Sequence, residues 1–101
     1  MLLKKNLSKI FYLTTIIIYS FYINFWTSLR GVFPIDTFLH FDSAFRILNG
    51  EIPVRDYWIV HGILIDYLQS LFFFIFGVNW FSYIIHSSII NVIATLLFLL
   101  F

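Results

Sequence analysis

The residues whose types suit chemistry concentrate between Pro34 and Asp56, a stretch that holds every acidic residue of the chain except Asp66. Within it, Asp36 and His40 lie four positions apart, about one turn of a helix. A carboxylate and an imidazole so placed can converge on one ligand as a base, a hydrogen-bond acceptor or two metal ligands. An aspartate before a helix is also an ordinary N-cap, and a histidine there is also an ordinary interfacial residue, so the spacing alone assigns no role.

Three further charged positions in this stretch have competing interpretations. Asp42 and Arg46 are four apart in the orientation that favours an exposed helix pair worth about 0.3 to 0.5 kcal/mol, which is the interpretation we prefer. Arg55 can hold a phosphate through its planar fork of donors, or it can anchor at lipid headgroups and pair with a nearby carboxylate. Both interpretations of Arg55 stay open.

Asp66 lies inside an apolar run, where a carboxylate costs roughly 2.5 to 3.5 kcal/mol at the centre of a membrane helix. It should therefore face protein or water. If the first turns of its helix project above the lipid, His61 and Asp66 line the same outer cavity as the preceding loop. If they do not, Asp66 is a buried structural polar group.

The elements that position these residues follow from composition. Of the 101 residues, 61% are hydrophobic and 11% are charged, and the mean hydropathy is +0.96. A soluble domain has roughly 25% charged residues, so the composition indicates an integral membrane protein. A net charge of +1 gives no basic surface for nucleic acid. The absence of cysteine excludes a disulfide framework and a thiol nucleophile.

The predicted fold is all-α, with three transmembrane helices and an amphipathic juxtamembrane helix in the first outer loop. Lys4, Lys5 and Lys9 precede the first span and place the N-terminus in the cytoplasm. The predicted order is a cytoplasmic segment over 1–9, a transmembrane helix over 10–29, an outer loop over 30–58 containing the amphipathic helix 37–48, a second transmembrane helix over 59–76, a cytoplasmic turn over 77–80 and a third transmembrane helix over 81–101.

The amphipathic helix has predicted ends and a predicted apolar face. Asp36 is placed as its N-cap, and Gly50 as the residue after its end that adopts a positive φ. Phe38, Phe41 and Phe45 recur at three- to four-residue spacing, which predicts a helix lying along the membrane surface.

Two polar stripes are predicted to pack helices together rather than to line a pore. One lies near the outer half of the first span and comprises Ser20, Asn24, Thr27 and Ser28. The other lies in the last span and comprises Ser88, Asn91 and Thr95. His86 fits either interpretation. The chain ends in an apolar run, which we interpret as truncation.

A spaced pattern of acidic, small and aromatic residues runs from the outer loop through the second span. Its members are Asp36, Ala44, Leu48, Gly50, Pro53, Arg55, Asp56, Tyr57, Gly62, Phe76 and Gly77. The pattern resembles the N-terminal region of GT-C glycosyltransferases, in particular the protein mannosyltransferase and aminoarabinose transferase group. It covers about Ile35 to Gly77. The chain departs from many relatives in having Thr37 where they have a second acid, and Ile63 after Gly62 where they have proline.

The resemblance implies the N-terminal part of a polytopic enzyme of the bacterial inner membrane, inactive as 101 residues alone. Such an enzyme transfers a sugar from a polyprenyl-phosphate donor to a glycan, lipid or protein acceptor on the outer face. It implies that Asp36 is the catalytic carboxylate, acting as a base toward the acceptor hydroxyl or orienting it, and that Arg55 is a phosphate contact. Further substrate-binding candidates are His40, Asp56, His61 and Asp66. No cofactor is assigned, and a divalent metal is left open. The alternative is a small three-span structural or partner-binding protein, or a transporter fragment.

Overall fold

The computed structural model describes residues 2–31 and 34–101. The regular secondary structure of this described part consists of helices and one isolated bridge between Pro53 and Tyr57. Its four helices are α1 over Leu2–Ser28, α2 over Pro34–Leu48, α3 over Leu64–Phe76 and α4 over Trp80–Leu100.

Two of the helices, α1 and α4, are long and apolar enough to cross a membrane, with mean hydropathies of 1.3 and 2.0. Helix α3 has 13 residues, so it is about 20 Å long and shorter than a hydrocarbon core of about 30 Å. The predicted second span, 59–76, is therefore helical only from Leu64 onward. Residues 59–63 are not helical, and His61 within this segment contacts Asp66 in the first turn of α3.

The two polar stripes meet each other and join α1 to α4. The Ser20 and Thr95 hydroxyl oxygens are 3.0 Å apart, and the Asn91 side-chain amide donates to the Ser20 carbonyl at 3.0 Å. Further along, the Ser88 hydroxyl donates to the Asn24 side-chain oxygen at 3.2 Å. Later residues of α1 meet earlier residues of α4, so the helices are antiparallel. The predicted packing role is confirmed for Ser20 and Asn24 in α1 and for Ser88, Asn91 and Thr95 in α4. The Thr27 hydroxyl instead bonds to carbonyls of its own helix.

The turn before α4 lies at the end of the molecule where α1 finishes. The Trp80 indole Nε1 donates to the Ser28 carbonyl at 3.4 Å, and the Asn79 side chain caps α4 by accepting from the Ser82 N–H at 2.8 Å. The turn over 77–80 thus lies at the same end of the helices as the end of α1. The physical reason is the length of α3, which is too short to carry the chain to the far end of α1.

Helix α2 begins at Pro34, three residues before the predicted start at 37. Proline is favoured at the first helical position because it has no N–H and the first N–H groups of a helix have no intrahelical partner. Asp36 therefore lies inside the first turn, and the prediction that it is the N-cap is wrong. A carboxylate there still faces the positive end of the helix dipole.

The end of α2 is formed by Gly50, which has a φ of +90° as predicted. The Gly50 N–H donates to the Ile47 carbonyl at 2.9 Å, and the Glu51 N–H donates to the Arg46 carbonyl at 3.0 Å. These two bonds define a Schellman motif, which satisfies carbonyls that the helix leaves unpaired.

Burial in the described chain is reversed relative to a soluble domain. The buried apolar side chains are Ala44, Phe73 and Ile84, whereas the buried polar ones are Ser20, Ser43, Asp66, Gln69, Ser70, Ser82, His86 and Ser88. Large apolar side chains cover the outside, as Phe74 and Phe98 illustrate with 76% and 84% exposure. Polar groups that pack helices together and apolar groups that face outward are typical of proteins in lipid.

Candidate functional site

The centre of the site is the Asp66 carboxylate, which is fully buried and contacts two histidines. Its Oδ1 lies 2.7 Å from His40 Nδ1, and its Oδ2 lies 2.7 Å from His61 Nε2. The two imidazole rings are tilted against each other with their centroids 4.2 Å apart. We call these three residues the His–Asp–His cluster.

Three different elements supply the cluster. His40 lies on α2, Asp66 lies in the first turn of α3, and His61 lies on the segment 49–63 that links the two helices. Helices α2 and α3 also pack through Phe41 and Phe73, whose ring centroids are 4.8 Å apart. This packing positions His40 and Asp66 but not His61. Other contacts must therefore position the segment 49–63, which carries His61.

Tyr57 holds the linking segment against α2. Its phenolic oxygen lies 2.7 Å from the Ser43 hydroxyl and donates to the Ser43 carbonyl at 3.2 Å. The Arg46 guanidinium lies over the tyrosine ring, 5.3 Å from its centroid. Since Ser43 is buried, this contact fixes the link four residues before His61.

Arg46 is itself held by two carboxylates. Its Nε donates to Asp42 at 2.8 Å, as predicted, and its Nη1 donates to Glu51 at 3.2 Å. These hydrogen bonds, first that to Asp42, raise the pKa of the guanidinium. The position of Arg46 over Tyr57 is therefore maintained from both sides.

A tight turn over 52–57 precedes Tyr57 and depends on Asp56. Its carboxylate accepts from the Ile52 N–H at 2.7 Å and from Arg55 Nε and Nη2 at 2.8 and 2.7 Å. The hydrogen bond from Arg55, followed by that from Ile52, lowers the pKa of Asp56 from 3.8 to about 2. Within the turn, Val54 has a φ of 71°, which is unfavourable for a β-branched residue.

The polar face of α3 continues beyond the cluster. Gln69 is three residues from Asp66 and so shares its face. Its side-chain oxygen lies 2.6 Å from Nδ1 of the buried His86. Three buried atoms have no hydrogen-bond partner among the described residues, namely Gln69 Nε2, His86 Nε2 and Ser82 Oγ. A buried polar atom without a hydrogen bond costs about 1 to 3 kcal/mol. A polar partner beyond the described residues could therefore bind these atoms of α3 and α4.

The structure brings together His40, His61 and Asp66 and leaves the other predicted site residues apart. Asp36 is exposed on the same side of α2 as His40, one turn earlier, and it takes no part in the cluster's hydrogen bonds. Arg55 and Asp56 are paired with each other in the turn. The sequence placed Asp66 beside His61 but did not pair it with His40. The available signal was that a carboxylate in an apolar run needs a polar partner.

The cluster can act in two chemical ways. With neutral rings, His40 donates through Nδ1 and His61 through Nε2, which leaves the opposite nitrogen of each ring as an acceptor. A carboxylate that orients an imidazole in this way prepares it to accept a proton from a substrate hydroxyl. Alternatively, the same three side chains offer two nitrogens and an oxygen to one cation.

Comparison of the chain with protein-family models, curated proteins and solved structures gives no match.

Proposed function

We propose that this chain is the N-terminal part of a membrane glycosyltransferase that moves a sugar from a polyprenyl-phosphate donor to an acceptor at the outer face of the bacterial inner membrane. The observation that carries the proposal is the convergence of His40 and His61 on the buried carboxylate of Asp66. These residues lie within the stretch whose spacing resembles GT-C glycosyltransferases. A polar centre of this kind in an apolar helical protein is a candidate site for chemistry on a hydroxyl group.

Membrane insertion through α1 and α4 is part of the proposal. It is supported by their length and hydropathy and by the apolar side chains on their outer surfaces. Lys4, Lys5 and Lys9 near the start of α1 favour a cytoplasmic N-terminus. The end of α1 and the segments that carry the cluster then face the outer leaflet, where lipid-linked sugar donors are consumed in the resembled family.

Asp36 is assigned as the base for sugar transfer. It is exposed one turn before His40, so an acceptor hydroxyl that reaches Asp36 also lies near the cluster. The acceptor oxygen forms a bond to the anomeric carbon and its proton passes to Asp36. The bond from that carbon to the phosphate oxygen breaks, and polyprenyl phosphate leaves. Arg55, whose side chain is 64% exposed, is assigned to the phosphate, with Asp56 holding it in place.

The test is sugar transfer by membranes that contain the complete reading frame. Asp36→Asn should abolish transfer without reducing the amount of protein in the membrane. Asp42→Asn is the matched control, because Asp42 is an exposed aspartate on the same helix whose partner is Arg46. Transfer by Asp36→Asn at near the unmodified rate would show that Asp36 is not the base.

A second function, binding of a partner helix or transport of a polar solute, is favoured by buried atoms of Gln69, Ser82 and His86 that have no hydrogen-bond partner within the described ranges. Polar side chains of this kind hydrogen-bond across helices in lipid. Two measurements distinguish the proposals. If the complete protein transfers no sugar from any polyprenyl-phosphate donor, the enzyme proposal fails. If the chain also co-purifies with a defined membrane partner through α3 and α4, the binding function holds.

A further inference from the structure

We propose that the His–Asp–His cluster is a binding site for one divalent transition-metal ion of the zinc class. The ligand atoms are His40 Nδ1, His61 Nε2 and a carboxylate oxygen of Asp66. This inference does not depend on sugar transfer, since it rests only on the positions and chemistry of these three side chains.

The geometry suits a single ion. One ligand atom from each residue lies within 4.8 Å of the other two. Zinc binds imidazole nitrogen and carboxylate oxygen at about 2.0 to 2.2 Å, so neighbouring ligand atoms in a tetrahedral site are about 3.3 Å apart. The two nitrogen-to-oxygen distances of 2.7 Å widen to this value with small side-chain movements.

The donor set selects the class of metal. Calcium and magnesium prefer oxygen ligands, whereas imidazole suits zinc and neighbouring transition metals. Two imidazoles and one carboxylate leave at least one coordination position for water or a substrate oxygen, as in catalytic zinc sites. The side chains of His40 and His61 are 29% and 19% exposed, so that position is reached from the histidine side of the cluster.

Charge gives a second, independent argument. The Asp66 side chain has 0% exposure, and a buried carboxylate without a compensating charge is costly. The hydrogen bonds from His40 and His61 offset part of this cost, but an imidazole supplies a compensating charge only when it is protonated. A divalent cation supplies that charge and uses the same atoms.

The protein also fixes the ligands before binding. Packing of Phe41 on Phe73 positions the His40 and Asp66 backbones, and the Tyr57–Ser43 contact fixes the link that carries His61. Rigid ligands on separate elements lose little conformational freedom on binding, which favours affinity.

The first experiment uses the full chain, without an affinity tag, purified in detergent micelles. Titration with Co²⁺ should give visible ligand-field absorption that saturates at one ion per chain, and Zn²⁺ should displace it. Asp66→Asn and His61→Gln should each weaken Co²⁺ binding by more than the roughly 10- to 100-fold that loss of an outer partner costs. His86→Gln, which removes the third histidine of the chain, should keep the one-to-one absorption. Circular dichroism verifies that each variant is helical.

A second measurement needs no variant. Diethyl pyrocarbonate modifies accessible imidazoles, and mass spectrometry locates the products. Zn²⁺ should protect His40 and His61 from modification, while the reactivity of the buried His86 stays unchanged. Absence of saturable Co²⁺ absorption in the unmodified chain, equal binding by Asp66→Asn, or unprotected His40 and His61 would each overturn the metal site and leave a cluster held by hydrogen bonds alone.

Discussion

Asp66 accepts a hydrogen bond from His40, a residue 26 positions earlier in the chain, across a distance of 2.7 Å between Oδ1 and Nδ1. This bond joins α2 to α3 at a carboxylate that neither water nor lipid reaches. An acid is unfavourable in an apolar segment, but here two helices and the segment that links them meet at the Asp66 carboxylate.

The first prediction concerns the stability that the Asp66 charge provides. Asp66→Asn keeps the side-chain shape but removes the charge from two hydrogen bonds, so the free energy of unfolding should fall by about 1.5 to 3 kcal/mol. Denaturant unfolding in micelles measures this. Asp42→Asn, at an exposed ion pair, should cost at most about 1 kcal/mol. Equal losses for the two variants would mean that burial of the Asp66 charge has no energetic weight.

The second prediction concerns the end of α2. Gly50→Ala should lower the free energy of unfolding by about 1 to 2 kcal/mol, because an added Cβ strains a backbone with φ of +90° although no atom of the described residues lies within 4 Å of it. Gly31→Ala is the matched control, since no atom of the described residues lies within 4 Å of a Cβ added there and its φ is not in the left-handed region. A comparable loss at both positions in the same unfolding assay would refute this account.

Local sequence patterns predict part of this structure, but they do not predict the contacts between residues that are distant in the chain. The positive φ of Gly50 and the packing of the Ser20 and Asn91 stripes follow from residue types at fixed spacings within one helix. The meeting of His40 with Asp66 depends on how the link 49–63 folds, and no periodicity encodes that path. Apolar content extended the second predicted span to residue 59, whereas residues 59–63 are not helical and His61 contacts Asp66.

The third prediction uses the strained turn. Val54→Gly should raise the free energy of unfolding by roughly 0.5 to 1 kcal/mol, because glycine removes a left-handed penalty of about 1 to 2 kcal/mol and adds a smaller entropic cost. The Val54 side chain is 74% exposed, so little packing is lost. Val60→Gly is the control: it is also an exposed valine, its φ is not positive, and it should destabilise. The same sign of change for both variants would contradict strain at Val54.

The fourth prediction is a pH dependence of the turn over 52–57. The pKa of Asp56 is lowered from 3.8 to about 2. Its contribution to stability is therefore complete above the unfolded-state pKa, near 4, and is lost as pH falls toward 2. Carbon NMR of the Asp56 carboxyl should show this titration, with faster amide exchange of Ile52 at the low end. Arg55→Gln should return the pKa toward 3.8, whereas Lys9→Gln should not change it.

The fifth prediction tests the position of the turn before α4. Because Trp80 contacts the Ser28 carbonyl, Val78 and Gly31 should lie on the same side of the membrane, opposite to Leu3. The chain has no cysteine, so single cysteines introduced at these three positions can be labelled without background. In intact cells an impermeant maleimide should label Val78→Cys and Gly31→Cys, and it should label Leu3→Cys only after permeabilisation. If Val78→Cys, like Leu3→Cys, is labelled only after permeabilisation, α3 carries the chain across the bilayer and the three-span topology is correct.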